Sequence, residues 1–245
     1  MLRRLKADPA DYYHSLGAVF MHRPYHRMPL SSFAMSYLFG LANNGASGRA
    51  ELEAHCRQAN LDPEAVLREM RSTPDVLQLV RDGNIDDDVY PLSIALLKEF
   101  RTSEVFKELV SSKMSLGSEP MKDIGNVYCA ALPAWMAAGL EEAAGEGRDL
   151  SGQNILAVGY GSGDAAEAIP MQLVDGWEAA ASRIGFQDAL EPYQTLTQDQ
   201  YERLHDTGQA EGLVDPEDGF VIDSVGESSN PSFSDEGIEY YRFVR

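Results

Sequence analysis

Apolar residues recur along this chain at two spacings, and the switches between them mark out the elements. The run at 155–158, Ile-Leu-Ala-Val, is short, aliphatic and bounded by turn formers, which predicts a buried strand. Gly159, Gly161 and Gly163 follow, alternating with Tyr160 and Ser162. Glycines so placed allow positive φ and close approach of a ligand to the backbone. A second brief apolar run, 18–21, has the same strand character and ends at His22. Residues 1–16 predict a short helix with Pro9 near its start, and helical spacing returns at 31–42, with Ser31 or Ser32 as N-cap. Residues 50–81 predict two or three polar helices, one of them starting at Asp62-Pro63-Glu64 with aspartate as cap and proline in the first turn. Residues 93–112 predict one helix, broken by the stretch from Gly117 to Pro120. Gly125-Asn126 then opens an apolar helix running to about 144, with Tyr128, Leu132, Trp135 and Met136 on its inner side and a kink at Pro133. After the glycine stretch come an apolar run at 165–174, broken helix at 176–206 with a capping box at Thr197 and Gln200, and two strand-like runs at 220–222 and 240–244.

Composition narrows the function classes. A chain of 245 residues makes one large domain or two small ones, and 44% hydrophobic content supports a sizeable core. A net charge of −19 argues against nucleic acid and against anionic membranes as partners. It leaves open an anionic small molecule held by a local basic patch. The stretch His22-Arg23-Pro24-Tyr25-His26-Arg27-Met28-Pro29 is such a patch, since it reverses the sign of its surroundings and its two prolines exclude regular structure. Cys56 and Cys129 are too few for a disulfide framework, so a reducing cytoplasm is expected, and they form no zinc-type cluster. The basic start lacks the apolar core of a signal peptide, no run reaches the length of a membrane span, and the acidic turn at 82–88 lacks the Gly and Glu spacing of an EF-hand.

At least two enzyme families use a strand followed by Gly-x-Gly-x-Gly. One is the S-adenosylmethionine-dependent methyltransferases. The strand here comes late for that fold, Pro170 interrupts the helix that should follow, and no acidic residue ends a second convincing strand to hold a ribose. The other reading joins three segments in order: His22, Pro24, Tyr25 and Arg27 after a strand; Gly125, Asn126 and Tyr128 at a helix start; and Tyr160, Gly161, Ser162 and Gly163 after a strand. Together they resemble the C-terminal half of hydroxymethylglutaryl-CoA synthases, members of the thiolase superfamily. A ketoacyl synthase III-type enzyme shares the Gly-Asn helix start but keeps its histidine in a different motif. Tyr201 to His205 and Glu239 to Phe243 also look like that family's tail, so the resemblance covers most of residues 15–245.

The resemblance implies an α/β fold, the C-terminal half of a thiolase-like fold, with a mixed sheet packed by helices and a helical insertion at about 50–112. It implies condensation of acetyl-CoA with acetoacetyl-CoA, a step toward mevalonate and isoprenoids, with coenzyme A thioesters as substrates and no further cofactor. His22 would polarise the acetoacetyl group or act as general acid, because histidine has a proton to give near neutral pH. Asn126 would present its amide at a helix start, and Tyr160, Gly161 and Ser162 would complete the pocket wall around developing oxyanions. Arg27 stands where the family usually has a lysine meeting coenzyme A, and Tyr25 lies beside it. Blander roles compete: Tyr25, Tyr128 and Tyr160 as core aromatics, Asn126 as a plain cap, and Arg23, His26 and His205 as solvated groups. The family's acetylated cysteine and glutamate base belong to its N-terminal half, and residue 1 falls roughly where the second half of such a chain would begin. The expected partner is therefore a subunit or segment carrying that cysteine and glutamate, in a homodimer or hetero-oligomer. A synthase acting on carrier-protein-bound acyl groups in polyketide β-branching is the nearest alternative, and a non-catalytic acyl-CoA-binding or partner-binding domain is another.

Overall fold

The computed structural model describes residues 8–43, 45–83, 89–161, 165–191, 193–208, 213 and 219–245. They divide into two compact units, Met1–Leu190 and Glu191–Arg245.

The first unit is built around β1 (Leu16–Met21), every residue of which is buried. It is preceded by α1 (Pro9–Ser15), whose Asp8 cap accepts from the Ala10 and Asp11 amides. β1 pairs in parallel with β2 (Asn154–Gly161), and β2 pairs antiparallel with β3 (Ala165–Gln172), giving the mixed sheet expected for the fold class. Among the described residues eight helices lie between β1 and β2: α2 (Met28–Ala42), α3 (Ala46–Gln58), α4 (Pro63–Met70), α5 (Val76–Arg81), α6 (Pro91–Phe100), α7 (Glu104–Lys113), α8 (Met121–Ile124) and, after a 3-10 turn at Tyr128–Ala130, α9 (Ala131–Gly145). The short α10 (Glu178–Ala181) and α11 (Phe186–Leu190) close the unit.

Several boundaries differ from the sequence pattern for local physical reasons. The second helix begins at Met28, before Ser31 and Ser32, because Pro29 falls in the first turn, where its missing N–H costs nothing. The expected helix at 93–112 is two helices. Ser103 accepts from the Phe106 amide and starts a new one. Pro133 lies in the first turn of α9, where its missing N–H has no intrahelical acceptor to lose. Tyr128 is not on an inner face: it is 76% exposed.

Helices α7 and α9 cover β1. Phe20 of β1 meets Trp135 of α9 edge to face, with centroids 5.9 Å apart, and the Trp135 indole donates to the Leu116 carbonyl at 2.8 Å. Gly139 makes this fit, because a Cβ there would lie 2.5 Å from Phe20 Cε1. The buried Lys113 amine donates to the His14 and Leu16 carbonyls at 3.0 and 2.8 Å, tying α7 to the start of β1.

A second cluster gathers on α1, α2 and α3. Glu51 accepts from the Tyr37 hydroxyl, and its carboxylate lies 3.4 Å from His14 and 3.6 Å from the buried His55. Burial would raise the Glu51 pKa, but the contacts from His55, Tyr37 and His14 outweigh it and hold the group at about 2. A carboxylate with a depressed folded-state pKa stabilises the fold above its ordinary value of 4.5 and loses that contribution as pH falls toward about 2. Acid titration of unfolding is therefore expected to fall through this window, and Glu51→Gln should flatten the fall. An unchanged slope in the variant would remove Glu51 from the account.

The second unit holds α12 (Gln198–Thr207), opened by the reciprocal Thr197–Gln200 capping box, and the antiparallel pair β4 (Gly219–Val225) and β7 (Glu239–Val244). A small pair, β5 (Ser229–Asn230) and β6 (Phe233–Ser234), lies between those strands in sequence.

Candidate active site

Parallel pairing of β1 and β2 carries both chains to the same end of the sheet. Met21 is in register with Val158, and the His22 amide donates to the Val158 carbonyl at 2.8 Å, extending the ladder by one residue. The half-buried His22 ring then meets Tyr160, with ring centroids 6.3 Å apart. Tyr160 is 44% exposed, so the pair opens to solvent. Two of the predicted segments are thus brought together at the carboxyl ends of adjacent parallel strands, the usual place for sites in α/β sheets.

The glycines do not act through positive φ. Gly159 and Gly161 are β2 residues with ordinary strand backbone, in register with Glu167 and Ala165 of β3. What they supply is space: a Cβ at Gly159 would meet nothing within 4 Å, and one at Gly161 only the Ala165 carbonyl at 3.9 Å. Ser162 and Gly163 lie outside the described residues, as do 84–88 of the acidic turn. The glycine strand leads into an antiparallel strand, not a helix, so the methyltransferase arrangement is excluded.

Asn126 sits in an exposed turn between α8 and the 3-10 turn. Its side-chain carbonyl accepts from the Tyr128 amide at 2.9 Å, which is a capping role. The amide NH2 meets no acceptor among the described residues and stays available. The turn is strained: Gly125 has φ 74° and Tyr128, a bulky residue, φ 51°. No hydrogen bond or ring contact joins Asn126 to His22 or Tyr160 among the described residues. Tyr25 is 62% exposed, so none of Tyr25, Tyr128 and Tyr160 is a core aromatic. Arg27 is also exposed and stands at the start of α2, where its carbonyl receives the Ser31 amide at 3.4 Å. His26 and His205 are exposed as expected, but Arg23 is only 3% exposed and is no solvated group. Sequence reasoning missed it because arginine on a proline-flanked basic loop carries no burial signal. Cys56 is buried, which pushes its thiol up to about 11 and makes it a poor nucleophile, whereas Cys129 is exposed.

No protein-family model matches the chain. A hydroxymethylglutaryl-CoA synthase of Haloferax volcanii is 25% identical over 146 residues, covering 57% of this chain and 33% of that protein. Among solved structures, MvaS in complex with 3-hydroxy-3-methylglutaryl coenzyme A superposes with a TM-score of 0.56 at 18% identity, over 98% of this chain and 43% of that one. PksG, a hydroxymethylglutaryl-CoA synthase from Bacillus subtilis, gives a TM-score of 0.54 at 12% identity, over 100% of this chain and 47% of that one. The chain therefore has the thiolase-like fold of these enzymes and is similar to them over a length that fits one half. It spans less than half the length of each relative. No described helix is long and apolar enough to cross a membrane.

Proposed function

We propose that this chain supplies one wall of a hydroxymethylglutaryl-CoA synthase-type condensation site, completed by a second half that carries the acylated cysteine and the glutamate base. The observation that carries the reading is the His22–Tyr160 pair at the carboxyl ends of β1 and β2, beside the open space over Gly159. His22 donates to the ketone oxygen of the acetoacetyl group as the enolate attacks, and the charge on that oxygen is met there and by the Asn126 amide. Tyr160 and Gly161 line the acyl end, while Arg27 and Tyr25, both exposed, receive the pantetheine or phosphate end of coenzyme A.

The incomplete sheet supports a second half. Among the described residues β3 pairs with β2 alone, and Ala165, Ala166, Ala168 and Ile169 are exposed along it, with Glu167 among them. A bare apolar edge of that kind invites strand addition or covering. Mixing the chain with a synthase half bearing the cysteine and glutamate is expected to give a 1:1 complex in which β3 amides exchange slowly with solvent. Fast exchange in β3 within a stable complex would contradict this placement. A carrier-protein-bound acyl group as acceptor fits the same wall and is distinguished by the acceptor that yields product.

Open space over Gly159 gives a sharper test. Valine suits a strand and its Cβ at position 159 would meet nothing within 4 Å, so thermal unfolding of Gly159→Val should stay near that of the parent. Product formation in the mixture should fall at least about tenfold, because the valine occupies the acyl position. Unchanged turnover would move the acyl group away from this strand.

A further inference from the structure

Arg23 takes no part in the wall described above. It follows His22 directly, yet its contacts are with other elements. The guanidinium lies over the Trp135 ring, 4.9 Å from the centroid. Its Nη2 donates to the Ser118 carbonyl at 3.0 Å and to His26 Nδ1 at 2.6 Å, and Nη1 reaches Ser118 Oγ at 3.5 Å. A guanidinium carries more N–H donors than these contacts use. Among the described residues no carboxylate forms an ion pair with it. Glu119 is committed to Lys122 at 2.6 Å and acts on Arg23 only through space. The accepting His26 nitrogen requires a neutral imidazole, in keeping with burial and the Arg23 charge, which lower the His26 pKa. Arg23 is thus a nearly sealed cation whose facing carboxylate, Glu119, is engaged with Lys122, so a further anionic acceptor on the guanidinium is stabilising.

Arg23 lines a cavity of about 390 Å³. Ser111, Ser115 and Ser118 bring hydroxyl groups to it, and Leu30, Met114 and Trp135 bring apolar surface. Glu119 and Glu142 also reach it, and Glu142 is held by the Gly117 amide at 2.9 Å. We infer that this cavity binds a small monocarboxylic acid with an apolar body, its carboxylate on the Arg23 guanidinium and its body against Trp135 and Leu30. The two glutamates repel a multiply charged anion most strongly, and an uncharged ligand makes no ion pair with Arg23.

The test is titration with butyrate, followed by calorimetry and by Trp135 emission in a Trp177→Phe background. Butyramide and inorganic phosphate serve as the uncharged and multiply charged probes. Butyrate should bind saturably, and both comparison compounds at least about tenfold more weakly. Arg23→Met should abolish binding. Leu30→Trp, which fills the cavity while leaving the Arg23 contacts intact, should do the same by calorimetry if the arginine variant fails to fold. Three results would overturn the inference: no saturable signal from folded protein up to about 50 mM butyrate, equal binding of butyramide, or full binding by folded Leu30→Trp.

Discussion

His22→Ala lowers turnover of the reconstituted synthase by about 10²–10⁴-fold, the range expected for losing a positioned general acid. The effect should fall on kcat, with KM for acetoacetyl-CoA moving much less, because the hydrogen bond to the ketone oxygen strengthens only as charge develops. Stability should hardly change. His22 contributes its backbone amide to the ladder, which alanine retains, and its half-buried ring meets Tyr160 near the surface. That separation distinguishes a catalytic from a structural histidine. Tyr160→Phe keeps the ring contact and removes only the hydroxyl, so its loss should be nearer about tenfold. Equal losses of turnover and of stability in His22→Ala would make the residue a packing element.

Gly117→Val should abolish folding or leave it marginal. Gly117 has φ 65°, where a β-branched residue is a true outlier. A Cβ there would also lie 2.4 Å from the Gly139 nitrogen and 2.8 Å from the Ala138 carbonyl carbon, both backbone atoms of α9. Flexible side chains yield to a new methyl group; helix backbone does not. Relief requires α9 to move, and α9 carries Trp135 against Phe20 and the Leu116 carbonyl. The combined cost should exceed about 4 kcal/mol, a large part of the 5–15 kcal/mol typical of a folded domain. Gly147→Ala is the control. It shares the positive φ, at 66°, but its Cβ would meet nothing within 4 Å. It should cost only about 1 kcal/mol. Chemical denaturation of the two variants separates strain from collision, and a similar small cost for both would show that α9 tolerates displacement.

What could be read from the sequence follows how local each signal is. β1, β2 and the Asp62 and Thr197 caps were legible because strand hydrophobicity and capping chemistry act over a few residues. The pairing of His22 with Tyr160 was legible only through the order of the motifs, since 138 positions separate them and no local rule joins them. The burial of Arg23 was not legible. It depends on Trp135 and Ser118 arriving from distant parts of the chain. The split between α6 and α7 was easy to miss because no proline or glycine marks it, and its trace in the pattern is one irregular step, from Phe100 to Phe106. The glycine motif was recognised for the wrong physical reason: Gly159 and Gly161 clear space above a strand and do not bend it.

On this proposal the His22 wall works with a cysteine and glutamate supplied by a second half. The most direct measurement is product formation from acetyl-CoA and acetoacetyl-CoA by the purified chain alone, by a cysteine-bearing half alone, and by the two mixed. Product in the mixture only, lost on His22→Ala, is the result predicted. Product from the chain alone would contradict it, placing the nucleophile within these residues and turning attention to the exposed Cys129.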